Sequence, residues 1–449
     1  MYRLAFKNFI RSRSVIIVLI LFLIVGIISI VIGKRFLDKQ QTAIEAVTAL
    51  QQEQIARNVH NVRDQFGLLM YYLRFAYINK PDAAASLAIG QQDVNSSIQY
   101  LTVRGLEAQR YDTDLVNPYN QLTGNLDLSF VILFLFPLLI IAFNFNVLSQ
   151  EMENGTWSLI RVQIKKPLRF IISKLSIRLV VVLALLFLLL TLAVVIIGLP
   201  LSVQLFAYAI TAVLYILCWF AISFLIIVLR MNSSISALLL LSTWVLLCLL
   251  TPAAINNYLT AKYPVNEAYE TFLKQRDGYH TKWDKDHDST VQAFFKHYPQ
   301  FSHYEWRSPG FDYIWFYAMQ QAGDDEAAGN TKAMQQKLHQ RQQAADLAAS
   351  FFPPMHAQLQ FTDIVGTGLK RQLQYLDSTA AFHESTKLHF YPKIFNNSPV
   401  DGENWSQHKP KYFQATNTVN WMTLIMPFLL FILAPSWLAT YIFNRNGKL

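Results

Sequence analysis

The sequence is poor in charge and in cysteine. Only 15% of its 449 residues are charged and 53% are hydrophobic, whereas a typical soluble domain has about a quarter charged residues. The two cysteines, Cys218 and Cys248, both lie within apolar stretches, so we predict no disulfide framework. The composition favours a membrane protein over a soluble enzyme or a disulfide-rich secreted domain.

Three common sequence motifs of enzymes are also missing. The chain has no G-x-x-x-x-G-K-[ST] phosphate loop, no G-x-S-x-G elbow and no H-E-x-x-H zinc motif. Its longest apolar stretches carry no Asp, Glu, His, Lys or Arg at their centres, although coupled transporters and intramembrane enzymes normally keep such groups there. We therefore predict that the chain is not an enzyme and that its energy comes from another protein.

Six apolar stretches reach or approach the roughly 20 residues that a helix needs to cross a bilayer. The first lacks a small-x-small cleavage site, which indicates an uncleaved anchor. We predict an all-α membrane protein with six transmembrane helices and two mainly helical extracytoplasmic insertions. The predicted spans are 14–33, 128–148, three helices within 179–250 (179–199, 206–229 and 234–250), and 421–443.

Basic residues set the predicted orientation. The N-terminal flank, the loop after the second span, the turn after the fourth and the C-terminal tail hold thirteen basic and two acidic residues. This distribution places both termini in the cytoplasm. Because the net charge of +9 follows one membrane face, it favours contact with membrane lipids and not with nucleic acid. The predicted layout is a cytoplasmic interfacial helix at 1–13, extracytoplasmic domains at 34–127 and 251–420, a cytoplasmic loop at 149–178 and a tail at 444–449.

Both insertions show mainly helical patterns. We expect the first span to continue outward as a helix until Pro81 breaks it, with turn-rich stretches at 90–106 and 111–127. In the second insertion we expect one helix that stops at Pro353 and Pro354 and another from about 355 to 387. We expect loops near the membrane at residues 389–397 and 398–413.

The histidines and aromatic residues of the second insertion give weak signals. The Asp284–Asp288 stretch, and His383 with His389, could supply metal ligands, but neither has a recognised spacing. We therefore expect solvated or packed histidines and predict no metal site. The aromatic stretch 297–320 is typical of a small core or of a surface that rests on the membrane; contact with a substrate is the alternative.

One short charged stretch, "SQEMENGTWSLIRVQIKKPLRF", interrupts the apolar sequence between the second and third spans. Two acidic residues precede a glycine, and an amphipathic turn follows. Such a segment can present apolar anchors to a soluble partner; the alternative is a basic loop that meets only lipid headgroups. The residues that we predict to couple the chain to that partner are Glu151, Glu153, Gly155, Thr156, Trp157, Leu159 and Ile160.

The stretch "NVLSQEMENGTWSLIRVQIKKPLRFIISK" resembles the signature of type-two ABC exporter permeases. The matching positions are Glu151, Glu153, Gly155, Thr156, Leu159, Pro167 and Lys174. The resemblance implies that this stretch is a coupling helix in a groove of a separate cytoplasmic ABC ATPase subunit. It further implies that ATP and Mg²⁺ are bound by that subunit, that this chain binds no cofactor, and that a second permease copy or a paralogue faces it.

Other segments, among them "LAIGQQDVN" and "FFPPMHAQLQFTDIVGTGLKRQLQYLDSTAAFH", resemble a bacterial subgroup of these permeases with large insertions after spans one and five. This resemblance implies the bacterial inner membrane. Asn144 and Asn146 are candidate residues lining a transport pathway, or they form helix–helix hydrogen bonds. Two alternatives stay open: a membrane scaffold whose outer domains actuate a periplasmic partner without a cargo path, and a metal-handling or sensor protein.

Overall fold

Helices make up nearly all the regular structure of this computed structural model, which describes residues 2–110, 125–164, 166–265, 267–306, 310–415 and 418–446. The predicted all-α fold is confirmed apart from one small sheet. Most of the predicted turn-rich stretch 111–127 lies outside the described residues.

The first part of the chain runs from an N-terminal helix through a polar region to a charged corner between apolar helices. Helix α5 includes a π-helical turn, so it is given in three pieces. The elements are α1 (Tyr2–Arg11), α2 (Arg13–Asn61), α3 (Phe66–Tyr72), β1 (Phe75–Ile78), β2 (Ile98–Leu101), α4 (Glu107–Arg110), α5 (Leu128–Phe130, Val131–Leu135 and Phe136–Asn144), α6 (Ser149–Glu153) and α7 (Thr156–Gln163).

The second part places three long apolar helices before a large polar region and one after it. The elements are α8 (Pro167–Gly198), α9 (Val203–Ile227), α10 (Ser233–Lys262), α11 (Glu267–His280), α12 (His287–His297), α13 (Tyr313–Ala349), α14 (Pro353–Val365), α15 (Leu369–Phe395), β3 (Lys411–Tyr412) and α16 (Trp421–Asn446).

Six helices are long and apolar enough to cross a membrane: α2, α5 together with α6, α8, α9, α10 and α16. Helix α9 lies at their centre, where the hydroxyl of Tyr215 donates to the carbonyl of Leu133 on α5 at 2.7 Å. Helices α10 and α16 instead leave most of their apolar side chains exposed. Because a soluble protein seldom exposes apolar surface of that extent, these outer faces suggest a membrane protein.

The polar regions before α5 and after α10 pack against each other. Strand β1 pairs antiparallel with β2 and parallel with β3, and the hydroxyl of Tyr375 on α15 donates to the carbonyl of Tyr77 at 2.6 Å. A separate aromatic core includes Phe294, Tyr317 and Tyr391. Tyr298 and Tyr317 of stretch 297–320 belong to this core, which agrees with a small core, one of the two default expectations for that stretch.

Three expectations about the polar regions are wrong. Helix α2 does continue outward from its apolar half, but it ends at Asn61, well before Pro81. The expected helix 355–387 is divided at Gly366, whose φ of +73° ends α14 in the left-handed conformation. Residues 389–395 are helical, since α15 accommodates Pro392 and continues to Phe395.

Helix α14 packs on the apolar helices, although its sequence belongs to the second polar region. The ring of Phe361 lies 4.5 Å from that of Tyr208 on α9, and the His356 Nε2 lies 3.1 Å from the carbonyl oxygen of Leu424 on α16. The prolines at its start end the preceding helix as predicted, because α13 finishes at Ala349. Helix α14 therefore connects the second polar region to the apolar helices α9 and α16.

Candidate functional site

The charged stretch forms a helical corner between α5 and α8, which we call the coupling corner (the described residues 149–164 and 166). Helix α6 ends at Glu153, and Gly155 turns the chain with a φ of +70° before α7 begins at Thr156. A Cβ atom at Gly155 would meet nothing within 4 Å. The glycine is therefore required by the backbone conformation alone, because a left-handed residue with a side chain is strained.

Glu151 joins the corner to α8. Its Oε1 lies 2.5 Å from the Nζ of Lys174, and its Oε2 accepts a hydrogen bond from the hydroxyl of Thr156. The side chains of Glu151 and Lys174 are each only about a quarter exposed, so solvent screens this ion pair less than one on an open surface. One carboxylate thus fixes the first turn of α7 to the first third of α8.

Glu153 joins the same corner to α10. Its carboxylate accepts from the backbone N–H of Ser233 at 2.7 Å and from the Ser233 hydroxyl at 2.9 Å. The hydroxyl of Ser149 lies 2.8 Å from that of Ser233. A carboxylate at the start of a helix is stabilised by the free N–H groups and by the helix dipole. The corner is therefore attached to two long apolar helices by separate acidic residues.

Helix α7 divides its apolar residues between two directions. Trp157 is buried and Ile160 is half-buried, and both contact the apolar core. Leu159 and Val162 point outward, with 63% and 88% of their surfaces exposed. Exposed apolar residues on a short helix with exposed basic neighbours form a surface suited to a partner.

A cavity of about 910 Å³ lies behind the coupling corner. Its walls come from α1, α2, α5, α6, α7 and α8, and they include Phe9, Gln150 and Arg178. The Cζ of Arg178 lies 5.5 Å from the ring centroid of Phe9. The corner borders this cavity and contacts the bundle through Glu151, Glu153, Trp157 and Ile160.

The two asparagines near the end of α5 differ in their surroundings. Asn144 is fully buried, and neither of its amide atoms has a hydrogen-bond partner within the described ranges. Asn146 lines the cavity and donates to the Oε1 of Gln150 at 3.2 Å. The structure therefore separates these candidates: Asn146 faces open space at the corner, and Asn144 is enclosed by the bundle.

Asp286, Asp288 and His383, which could supply metal ligands by residue type alone, have structural roles. The Asp286 side chain caps α12, and the Asp288 carboxylate accepts from the Nε1 of Trp306. His383 is buried, with its Nε2 at 2.7 Å from the Arg104 carbonyl oxygen, and burial lowers its pKa to about 3. The expectation of a packed histidine is met at His383, but His389 lies elsewhere, beside Glu403 and His408.

Part of the chain matches a known family profile. The profile of a family described as a domain of unknown function, DUF3526, matches residues 269–414. No curated protein matches the chain, and no solved structure matches it. The matched region covers α11 to β3 and excludes the coupling corner, so it marks the second polar region as a unit that recurs in a family.

Proposed function

We propose that this chain is the membrane-spanning permease subunit of an ATP-driven ABC exporter in the bacterial inner membrane. A separate cytoplasmic ATPase subunit would bind the coupling corner, and ATP and Mg²⁺ would be bound by that subunit. One observation carries the proposal: the corner exposes an apolar face while its two glutamates attach it to α8 and α10.

The contacts of the corner support a mechanical role. A load applied to Leu159 would pass along α7 to Thr156, then through Glu151 to Lys174 on α8. Through α6 it would reach Glu153 and then α10. Short rigid helices joined by charge-assisted hydrogen bonds transmit displacement because they have little freedom to absorb it. Both target helices would tilt together.

The charge distribution supports the orientation. Arg161, Lys166 and Arg169 are exposed around the corner, where they would face anionic headgroups and the cytoplasm. With the corner inside, both termini are cytoplasmic and the two polar regions lie outside. A second copy or a paralogue would pack against the exposed apolar faces of α10 and α16, as a permease dimer requires.

Helix α2 favours a second candidate function, force transmission to a periplasmic partner without a cargo path. It continues without interruption for 49 residues, which is roughly 70 Å at 1.5 Å per residue. That is more than twice the approximately 30 Å of the hydrocarbon core. A rigid helix of this length would carry a movement of its apolar half to the two polar regions.

Purification from native membranes tests the exporter proposal. The tagged chain should retain an ATPase activity, and the triple variant E151A/G155A/T156A should lose both that activity and the subunit that supplies it. The matched control Q336A/H339A/Q340A alters three exposed positions on α13 and should keep them. An ATP-active complex that survives the corner substitutions would contradict the proposal.

The two candidate functions differ in what lies between paired permeases. A structure of the ATP-bound complex with a continuous cavity between the apolar helices of two copies would support transport, with Asn146 near its inner end. A closed, dry interface together with a displaced outer half of α2 would support force transmission.

A further inference from the structure

Three donor atoms converge where the end of α15 meets the loop that leads to β3. Both His389 and His408 direct Nε2 at the same oxygen of Glu403, with Nε2–Oε1 distances of 3.2 and 2.7 Å. All three ligand atoms lie within 4.8 Å of one another. Tetrahedral Zn²⁺ with bonds near 2.0 to 2.1 Å needs ligand atoms about 3.3 Å apart. The spacing therefore requires only small side-chain movements to accept the ion.

The ammonium group of Lys393 lies beside these three donor atoms. The Nζ of Lys393 lies 3.0 Å from the His389 Nε2 and donates to the other oxygen of Glu403. An ammonium group can only donate, so the His389 Nε2 must offer its lone pair, as a metal ligand does. The Nζ of Lys393 and the Nε2 of His408 both donate to the Glu403 carboxylate, which accepts through its two oxygens.

The surrounding structure holds the donors in place. The carbonyl of His408 accepts from the side-chain amides of Gln51 and Gln52 on α2, at 2.8 and 2.9 Å. The centroid of the His408 ring lies 5.1 Å from that of the Phe390 ring. The Glu403 side chain is only 9% exposed. Supporting contacts of this kind fix the orientation of metal ligands and raise affinity.

We propose that His389, Glu403 and His408 bind one divalent transition-metal ion, with Zn²⁺ as the best match. Two imidazoles and one carboxylate suit Zn²⁺ and leave its fourth position for water. The ammonium of Lys393, 31% exposed, withdraws to solvent when the ion binds. The ion would then link α15 to the loop before β3 and, through His408, to α2. This site does not depend on the exporter proposal.

Zinc titration of the purified full-length protein tests the site. Any affinity tag is first removed and the protein is treated with a chelator, and binding is followed with a colorimetric Zn²⁺ indicator. We expect one equivalent of Zn²⁺ in the unmodified protein and in the control H339A, whose histidine is exposed and distant in sequence from the site. The double variant H389A/H408A should lose that equivalent.

The variant K393M provides a test that does not remove a ligand. Because it deletes a positive charge next to the ion, it should bind Zn²⁺ about tenfold more tightly or better. Cobalt substitution should give visible ligand-field absorption in K393M that is absent from K393M/H408A. Equal Zn²⁺ stoichiometry in H389A/H408A and the unmodified protein, or no gain of affinity in K393M, would overturn the proposal.

Discussion

The contact between Glu151 and Lys174 allows a quantitative prediction for the coupling corner. A hydrogen bond to a charged group contributes about 1.5 to 3 kcal/mol, and the quarter exposure of both side chains reduces this to about 1 to 2 kcal/mol. E151A also loses the Thr156 hydroxyl bond, which adds about 1 kcal/mol. We therefore expect E151A to lower the free energy of unfolding by about 2 to 3 kcal/mol and K174A by about 1 to 2 kcal/mol.

A double-mutant cycle separates the pair from other effects. The free energy of unfolding of all four proteins is measured by titration with a denaturing detergent in mixed micelles. Once Glu151 is absent, K174A no longer breaks the ion pair and removes only the contact of the Lys174 Nζ with the Phe170 ring, 4.7 Å from its centroid. The double variant E151A/K174A should therefore lie close to E151A, with a coupling energy of about 1 to 2 kcal/mol. Simple additivity of the two single losses would refute the contact on which the transmission argument depends.

Three further predictions concern other positions. G155A should lower stability by about 1 kcal/mol through backbone strain at φ +70°, with G155N between it and the unmodified protein; equal stability of all three would exclude the left-handed turn. N144L should leave the unfolding free energy unchanged or raise it, since both amide atoms of Asn144 are buried without a partner within the described ranges, and a loss above about 1 kcal/mol would reveal a partner. Burial raises the pKa of Asp127 from 3.8 to about 6, so the folded chain binds the proton more tightly than the unfolded chain. The protonated carboxyl therefore adds to the free energy of unfolding. This added stability is complete below about pH 4 and is lost as the pH rises through 6. Melting temperatures between pH 4.5 and 8 should show that decline in the unmodified protein and a weaker one in D127N.

The sequence was sufficient for the features that depend on composition and local pattern. Long apolar runs predict helices because a buried or lipid-facing backbone must satisfy its own hydrogen bonds. The residues after Gly155 predicted an amphipathic turn, and they form the short helix α7. The prolines at 353 and 354 predicted the end of the preceding helix, and α13 ends at Ala349.

Features that depend on long-range contacts were not predictable. Strand β3 has two residues, and it is defined only by pairing with Tyr77 and Ile78, far away in the chain. Glu403 and His408 lie 14 and 19 residues beyond His389, with a 3₁₀ turn at Val400–Gly402 between. Only the folded loop brings them together, so no fixed spacing in the sequence could indicate the site.

Chemical labelling of a cysteine at position 162 tests the central claim most directly. The side chain of Val162 is 88% exposed, and the native Cys218 and Cys248 are buried. In intact cells V162C should react with a membrane-permeant thiol reagent and not with an impermeant one, and an associated ATPase subunit should protect it. Labelling by the impermeant reagent from outside the cell would place the coupling corner on the wrong side of the membrane and contradict the account.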